Sequence, residues 1–437
     1  MANPVTGNKI ERVVIRPKYQ KDRSDSPVAG LPEIDLTPYV GELYYYETIL
    51  SPNTTVNISI VNTTANLKIF EDVVIRGGEE VILTVNDVVS SEINDDPNAG
   101  LQNLKMYVAQ VDSRQANQNA EIFVLKLESA WKETMENINT VTGTVEGNPT
   151  QIANKIFSEC FNRDIEYQDQ ATNKTTINFG SEKKDSTFPS IMRIASISEN
   201  QKSAGFLFWQ TKYGHHFKSV DNMINNTSNL PVGKVYEYDY NGINPGFLDT
   251  DLSSRTIINL SSRINNYTFK NHQRAAGGVV NFAIDPITYN WFSDPVDDIE
   301  QYDFSNFSSE TITDLEPTKF NKEGRFENLG MVYRNPADIC DLAENPFKTK
   351  APAKARYTSL FGLMVNMTVP VNTSLIAGSV VRLNILRKNE GVECSTEDNI
   401  ISDDLAGSYI VAAVCHAFDR KKSYSSVMLV RDLEKTK

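Results

Sequence analysis

The sequence contains four histidines and four cysteines, side chains that commonly ligate metal ions or take part in nucleophilic catalysis. His215 and His216 are adjacent in a strand-like segment, so they point to opposite sides and cannot easily bind one ion. His272 and His416 lie far from them, and a structural role is favoured for each histidine. The cysteines form no CxxC pair, which favours buried free thiols over a zinc site. They are Cys160, Cys340, Cys394 and Cys415.

The carboxylates show no catalytic spacing. An acidic run contains Asp294, Asp297, Asp298 and Glu300, but it lacks the ligand spacing and the glycine of a calcium loop, which favours a solvated loop. GxSxG, HExxH, P-loop and GxGxxG motifs are absent. A carboxylate pair for glycoside cleavage stays open, because its members need not be close in sequence. We therefore predict no catalytic, cofactor or metal site, and a carbohydrate-active β protein is the weaker alternative.

The charge balance argues against nucleic-acid binding. The 43 basic and 56 acidic residues give a net charge of −13, whereas gripping phosphates requires clustered Lys and Arg. The first residues lack the apolar core of a secretory signal, and no run reaches the roughly 18 apolar residues of a membrane helix. We expect a soluble protein made in a cytoplasm.

One basic segment stands out against this background. The sequence NPFKTKAPAKARY carries two prolines and four basic residues, which are Lys348, Lys350, Lys354 and Arg356. A solvated linker is favoured, and a contact with an acidic neighbouring chain is the alternative.

The elements that must position any site are mostly strands, and the clearest lie between Arg356 and Asp432. In GSVVRLNI, Val381, Leu383 and Ile385 fall on one face, the period of two of a half-buried strand. The stretch 409–430 predicts a hairpin that turns at 419–423.

The same pattern occurs earlier in the chain and indicates a duplicated β domain. Residues 73–87 overlay this strand region with an offset of 300, which places Gly78 on Gly378. MYVAQV (106–111) matches YIVAAV (409–414) with an offset of 303, and EIFVLK (121–126) matches SVMLVR (426–431) with an offset of 305. The offset changes inside polar segments, where insertions are tolerated.

We therefore predict a β-dominated α+β fold, with two similar tube-like antiparallel β-barrel domains and a mixed domain between them. The predicted parts are an N-terminal arm (1–39), a first β domain (40–130), an α+β domain (131–350) and a second β domain (351–437). One version of this prediction has the α+β domain contribute strands to the second β domain.

Within the α+β domain, helical periodicity predicts a helix capped near Thr150 and a second helix over 189–198. A strand over 175–180 lies between them. The aromatic segment SAGFLFWQTKYGHHFKSVDNMI then predicts a hairpin that turns at 213–214 and leads into a short helix.

Two stretches resemble the central hub family of contractile-tailed phage baseplates. Hub proteins typically carry an aromatic segment like FLFWQTKYGHHFKS and a closing hairpin like GSYIVAAVCHAF followed by Tyr424 and LVRD. The likeness is specific over these stretches alone; the segments before Val40 and over 226–350 match nothing in the family.

The resemblance implies a structural virion protein and not an enzyme. Hub proteins form homotrimers in which two tube-like domains per subunit make a pseudo-sixfold ring. Such a ring joins the hexameric tail tube to the trimeric central spike, with wedge proteins around it and no membrane contact. DNA passes through the channel without specific binding, which suits negative charge. The location implied is the tail baseplate, and the host cytoplasm during assembly.

The sequence also predicts how such a ring closes. Strands over 81–85 and 381–385 are expected at sheet edges, where they pair across subunits, so that a charge at Leu383 abolishes the ring. A tail-tube or wedge protein with the same β module is the alternative within phage tails.

Overall fold

The computed structural model describes most of the two β regions and part of the segment between them. Described are residues 9–18, 32–63, 75–87, 99–116, 120–131, 134, 140–197, 204–225, 235–240, 255–264, 279–284, 291–296, 326–329, 349, 353, 356–357, 359–387, 400–401, 405–419 and 423–432. They form one 14-stranded sheet, three smaller sheets and several helices. The β-dominated α+β class is confirmed.

The first β module consists of seven strands around one hydrophobic core. They are β1 (Lys9–Arg16), β2 (Ile34–Asp35), β3 (Val40–Thr48), β4 (Thr55–Asn62), β5 (Glu80–Asn86), β6 (Leu101–Ala116) and β7 (Glu121–Glu128). Their order in the sheet is β3-β4-β7-β6-β5-β1-β2. Inward side chains from β1 and β3–β7, such as Val13, Leu43 and Leu83, share one cluster, so the sheet curls around it.

Part of the predicted N-terminal arm (1–39) forms a strand of this module. β1 pairs along its length with β5, and Val13 and Ile15 are fully buried. The alternation Val13, Ile15 against Arg12, Val14, Arg16 is that of a strand, but nearby prolines obscured it. The domain boundaries otherwise remain predictions.

The second β module has an equivalent strand order. Its strands are β13 (Tyr236–Tyr240), β14 (Asn259–Ile264), β18 (Leu363–Pro370), β19 (Val380–Arg387), β20 (Ile400–Ile401), β21 (Gly407–Asp419) and β22 (Ser423–Arg431). The order is β14-β18-β22-β21-β19-β13, with β20 also on β19. β13 and β14 come from the region between the two β domains, so this region does share strands with the second module.

The strand registers of the two modules coincide over five strands each, whereas β1 is antiparallel to β5 and β13 is parallel to β19. Val81 pairs with Met106 in the first module, and Val381 pairs with Tyr409 in the second, which agrees with the offsets of 300 and 303. Gly78 N–H donates to Val108 O over 2.7 Å, and Gly378 N–H donates to Val411 O over 2.8 Å. A β-bulge follows at the same place, after Val108 and after Val411. The first two matches of the predicted repeat thus occupy equivalent places.

The third predicted match is shifted by three residues. Val111 pairs with Leu125, and the equivalent Val414 pairs with Val427, so the offset between β7 and β22 is 302 and not 305. An odd shift exchanges the two faces of a strand. The sequence alignment of β7 with β22 was shifted because β22 is apolar on both faces, so its alternation does not mark the inner face.

A fourth match was missed. β4 pairs with β7 as β18 pairs with β22, which places Val56-Asn57 on Val365-Asn366 with an offset of 309. A two-residue identity is too short to stand out in sequence.

A compact α+β unit lies between the modules. It contains β8 (Val141–Gly147), α1 (Pro149–Phe161), β9 (Tyr167–Gln168), β10 (Thr175–Glu182), α2 (Lys184–Ile194), β11 (Phe206–Thr211), β12 (Gly214–Ser219) and α3 (Val220–Asn225). The predicted strand, hairpin and short helix are confirmed as β10, β11–β12 and α3. A further sheet contains β15 (Val279–Ile284), β16 (Trp291–Val296) and β17 (Phe326–Leu329).

Both predicted helices exist with other starting points. Asn148, not Thr150, caps α1, because its side chain accepts from Gln151 N–H in a capping box. The Thr150 hydroxyl donates to Asp169 O instead, over 2.8 Å. α2 begins five residues before Pro189, with Lys184 bound to Glu159 over 2.8 Å at its first position.

Candidate functional site

The two β modules are joined edge to edge, and this seam is the candidate functional site. β21 pairs antiparallel with β3 from Ala413 opposite Thr48 to Asp419 opposite Glu42. The first half of β21 pairs with β19 instead, so the seam begins where the pairing with β19 ends, while β22 stays paired with the other side of β21. One continuous sheet therefore runs through both modules.

A buried carboxylate lies at the seam. Glu47 is 2% exposed, and its oxygens accept from Tyr45 Oη at 2.7 Å, Lys212 N–H at 2.8 Å and Ala377 N–H at 3.0 Å. Burial raises the pKa of Glu47 above its usual value, and the three hydrogen bonds counteract this. Glu47 thus holds β3, the β11–β12 turn and the loop before β19 together.

His416 lies opposite Tyr45 across the seam, and the two rings stack with centroids 6.2 Å apart. Its Nδ1 lies 2.8 Å from Ser425 Oγ and its Nε2 lies 3.1 Å from Leu375 O. Burial lowers the pKa of His416 to about 4. With both ring nitrogens bound within the protein, His416 has the structural role that the sequence favoured.

The loop 371–379, buried throughout, contacts both modules. The Asp87 carboxylate of the first module accepts from Thr373 N–H at 2.8 Å and Thr373 Oγ1 at 2.7 Å. Gly100 N–H donates to the same Thr373 hydroxyl over 2.7 Å. Trp209 Nε1 donates to Ala377 O over 3.0 Å, which ties the hairpin to the loop.

Arg356 contradicts the predicted solvated linker. Its side chain is fully buried and forms ion pairs with Asp221 at 3.0 Å and Asp432 at 3.1 Å. Ser359 Oγ also donates to Asp432, over 2.8 Å. This arginine fixes the end of β22 to α3, and its partners are too distant in sequence to be inferred. Lys348, Lys350 and Lys354 lie outside the described residues.

His215 and His216 point to opposite faces of β12, as predicted. His215 lies among aromatic rings, with Phe157 at 4.9 Å and Trp131 at 5.4 Å, and burial lowers its pKa to about 3. His216 stacks between Tyr167 at 4.7 Å and Trp209 at 4.8 Å. Burial also lowers the pKa of His216 well below its usual value. Both rings serve as neutral members of aromatic cores.

Those remaining candidates for chemistry that fall on described residues form no centre. Cys160 and Cys415 are free thiols whose pKa values burial raises. Cys340, Cys394, His272, Asp297, Asp298 and Glu300 lie outside the described residues, and Asp294 belongs to β16. In the described part of the chain, no group of His, Cys, Asp and Glu could hold a metal ion, and no helix is long and apolar enough to cross a membrane.

The strands predicted as sheet edges are interior strands. β5 pairs with both β6 and β1, and β19 pairs with both β21 and β13. Leu83 and Leu383 point into the two module cores. A charge at Leu383 therefore acts on folding of the module and not on ring closure. Alternation identifies a buried face, but it does not tell whether a strand is central.

No protein-family model matches the chain, and no curated protein matches it. Among solved structures, it is similar to the 43 kDa tail protein of prophage MuSo2 from Shewanella oneidensis, with TM-score 0.48, 10% identity and coverage of 96% of this chain and 98% of that chain. A tail protein from Neisseria meningitidis MC58 gives TM-score 0.49, 10% identity and coverage of 98% and 97%. A Francisella PdpA-VgrG complex gives TM-score 0.45, 11% identity and coverage of 100% and 60%.

Proposed function

We propose that this chain is a structural virion protein, the central hub of a contractile-tail baseplate. Three copies form a ring of six similar β modules that joins a sixfold tail tube to a threefold spike. The observation that carries this proposal is the register identity of two modules joined edge to edge in one chain. A threefold assembly of such chains presents six near-equivalent units.

The surroundings of the ring follow from this arrangement. The tail tube protein contacts one face, the spike protein contacts the other, and wedge proteins lie around the rim. DNA passes along the axis, and the net charge of −13 disfavours its retention. The hub works in the virion, after assembly in the host cytoplasm, and has no catalytic role.

The oligomeric state of the purified chain tests this function. We expect a native mass of three times 49.0 kDa and ring-shaped particles with six similar lobes in negatively stained images. A hexamer would favour the tail-tube alternative, and a monomer at micromolar concentration would overturn the hub.

A further inference from the structure

The chain carries a second pair of strand edges in the positions of the two edges that form the seam. By the offset of 303, residues 413–416 of β21 correspond to 110–113 of β6, here called the β6 edge. β14 corresponds to β3, because Leu260 pairs with Met367 on β18 as Leu43 pairs with the equivalent Ile58 on β4. Among the described residues, no strand pairs with the β6 edge on the side away from β7, or with β14 on the side away from β18.

We propose that the β6 edge of one copy pairs with β14 of the next copy and forms a second seam between subunits. This inference rests on the proposed function, since it supplies the contact that closes the trimeric ring. The partner is a second copy of this chain, because the complementary edge is present in the same sequence. The contact is heterologous, and such contacts give closed rings when the rotation between copies closes.

The register of the existing seam predicts which residues meet. In the seam, Val414 lies opposite Glu47. The corresponding residues of the proposed contact are Val111 on β6 and Ile264 on β14, which would lie opposite each other. Ile264 is 65% exposed, the highest value among the large hydrophobic side chains of the described residues. A β-branched partner across the strands would remove this apolar surface from water.

The next position in this register brings opposite charges together. In the seam, Cys415 lies opposite Tyr46. The corresponding residues of the proposed contact are Asp112 and Arg263, which would lie opposite each other. Asp112 already binds Lys126 of its own chain over 2.8 Å, and both side chains are about two-fifths exposed. Arg263 is exposed on β14 and would add a second cation to this carboxylate. The seam alone sets this register, so the apolar pair and the charged pair are independent of it.

Pairing also accounts for an exposed edge that is poorly protected. An edge strand with an exposed isoleucine and no proline or lysine is a template for pairing with another chain. Asn259, Ser261 and Ser262 of the same strand are exposed. In the ring, all three such edges would be covered.

A disulfide trap tests the register. Directly opposite residues of antiparallel strands have Cα atoms about 4.5–5.5 Å apart, within disulfide range. Val111→Cys combined with Ile264→Cys is expected to give, after mild oxidation, species of two and three chain masses on a denaturing gel that disappear on reduction. Val111→Cys alone and Ile264→Cys alone control for the native cysteines.

A mismatched pair of cysteines tests whether cross-linking requires this register or only requires that the two strands lie near each other. Val111→Cys with Ser261→Cys displaces the partner by three residues, about 10 Å along the strand, and should not cross-link. A trimeric chain in which the matched pair fails, or links no better than the mismatched pair, would overturn this seam and leave the hub intact. A monomeric parent chain would overturn the hub itself.

Discussion

The two β modules share their strand registers but differ on their outer faces, the sides turned away from the module cores. In the second module, Ile410, Ala412 and Val430 are buried there against a cluster that includes Leu207 and Trp209. The equivalent positions of the first module are Tyr107, Ala109 and Glu128, which are partly or fully exposed. Strand pairing and the inner core are therefore sufficient to specify the module, and the outer face is adapted to its neighbours.

This difference predicts where the second module depends on the α+β unit. Arg356→Met removes the cation between Asp221 and Asp432 and leaves two buried carboxylates without this ion pair, which should lower the free energy of unfolding by about 3–5 kcal/mol. Arg163→Met removes an exposed pair with Glu166 and should cost less than about 1 kcal/mol. Urea unfolding measures both, and equal losses would contradict the dependence.

Two glycines at equivalent backbone positions, one before β5 and one before β19, compare the surroundings of the two modules directly. Gly78 and Gly378 have φ of 75° and 88°, so alanine at either position should cost about 1–2 kcal/mol in left-handed strain. At Gly378 an added Cβ would also lie 2.5 Å from the buried Trp209 ring. We expect Gly378→Ala to cost about 3 kcal/mol, by the same urea assay. A loss no larger than for Gly78→Ala would show that Trp209 moves aside.

Acid should act on the seam through His416, whose equivalent in the first module is Ser113. Burial lowers the pKa of His416 to about 4 from the ordinary 6.5, so the unfolded chain takes up the proton first. Stability is complete above pH 6.5 and falls as the pH drops from there toward 4. The expected loss between pH 7 and pH 5 is about 2 kcal/mol for such a histidine.

The variant His416→Gln isolates this contribution. Its free energy of unfolding should fall by about 2 kcal/mol less than that of the parent chain over the same pH interval. His215 and His216 act in the same direction, and Glu47, with a raised pKa, acts in the opposite one. All three are present in both proteins, so the difference in slope reports His416, and parallel profiles would contradict its assignment.

Local patterns predicted the elements well where one face is apolar and the other is polar. Alternation located β19 and β21–β22, and the aromatic hairpin β11–β12 was predicted with its turn. The alternation did not give the correct alignment of β22 with β7. Met428 and Val430 are apolar on the face where the equivalent Lys126 and Glu128 are polar. A strand buried on both faces carries no periodic signal of register.

Local sequence patterns could not predict the residues of the candidate site. Glu47, Asp87 and Arg356 look like ordinary surface charges in sequence, and their partners Ala377, Thr373 and Asp432 lie 76–330 residues away. Glu47 and Asp87 bind the loop 371–379, whereas Arg356 binds Asp221 and Asp432. These contacts are effects of chain topology that no local window contains.

The sequence by itself determined that the chain is β-dominated, that it repeats a strand pattern around Gly78 and Gly378, and that it carries no recognisable catalytic motif. Side-chain period and glycine placement are local properties, so they can be read from neighbouring letters. Tertiary structure alone decided which strands are central, which edges meet in the seam, and which charges are buried there. Those outcomes depend on hydrogen bonds between strands hundreds of residues apart.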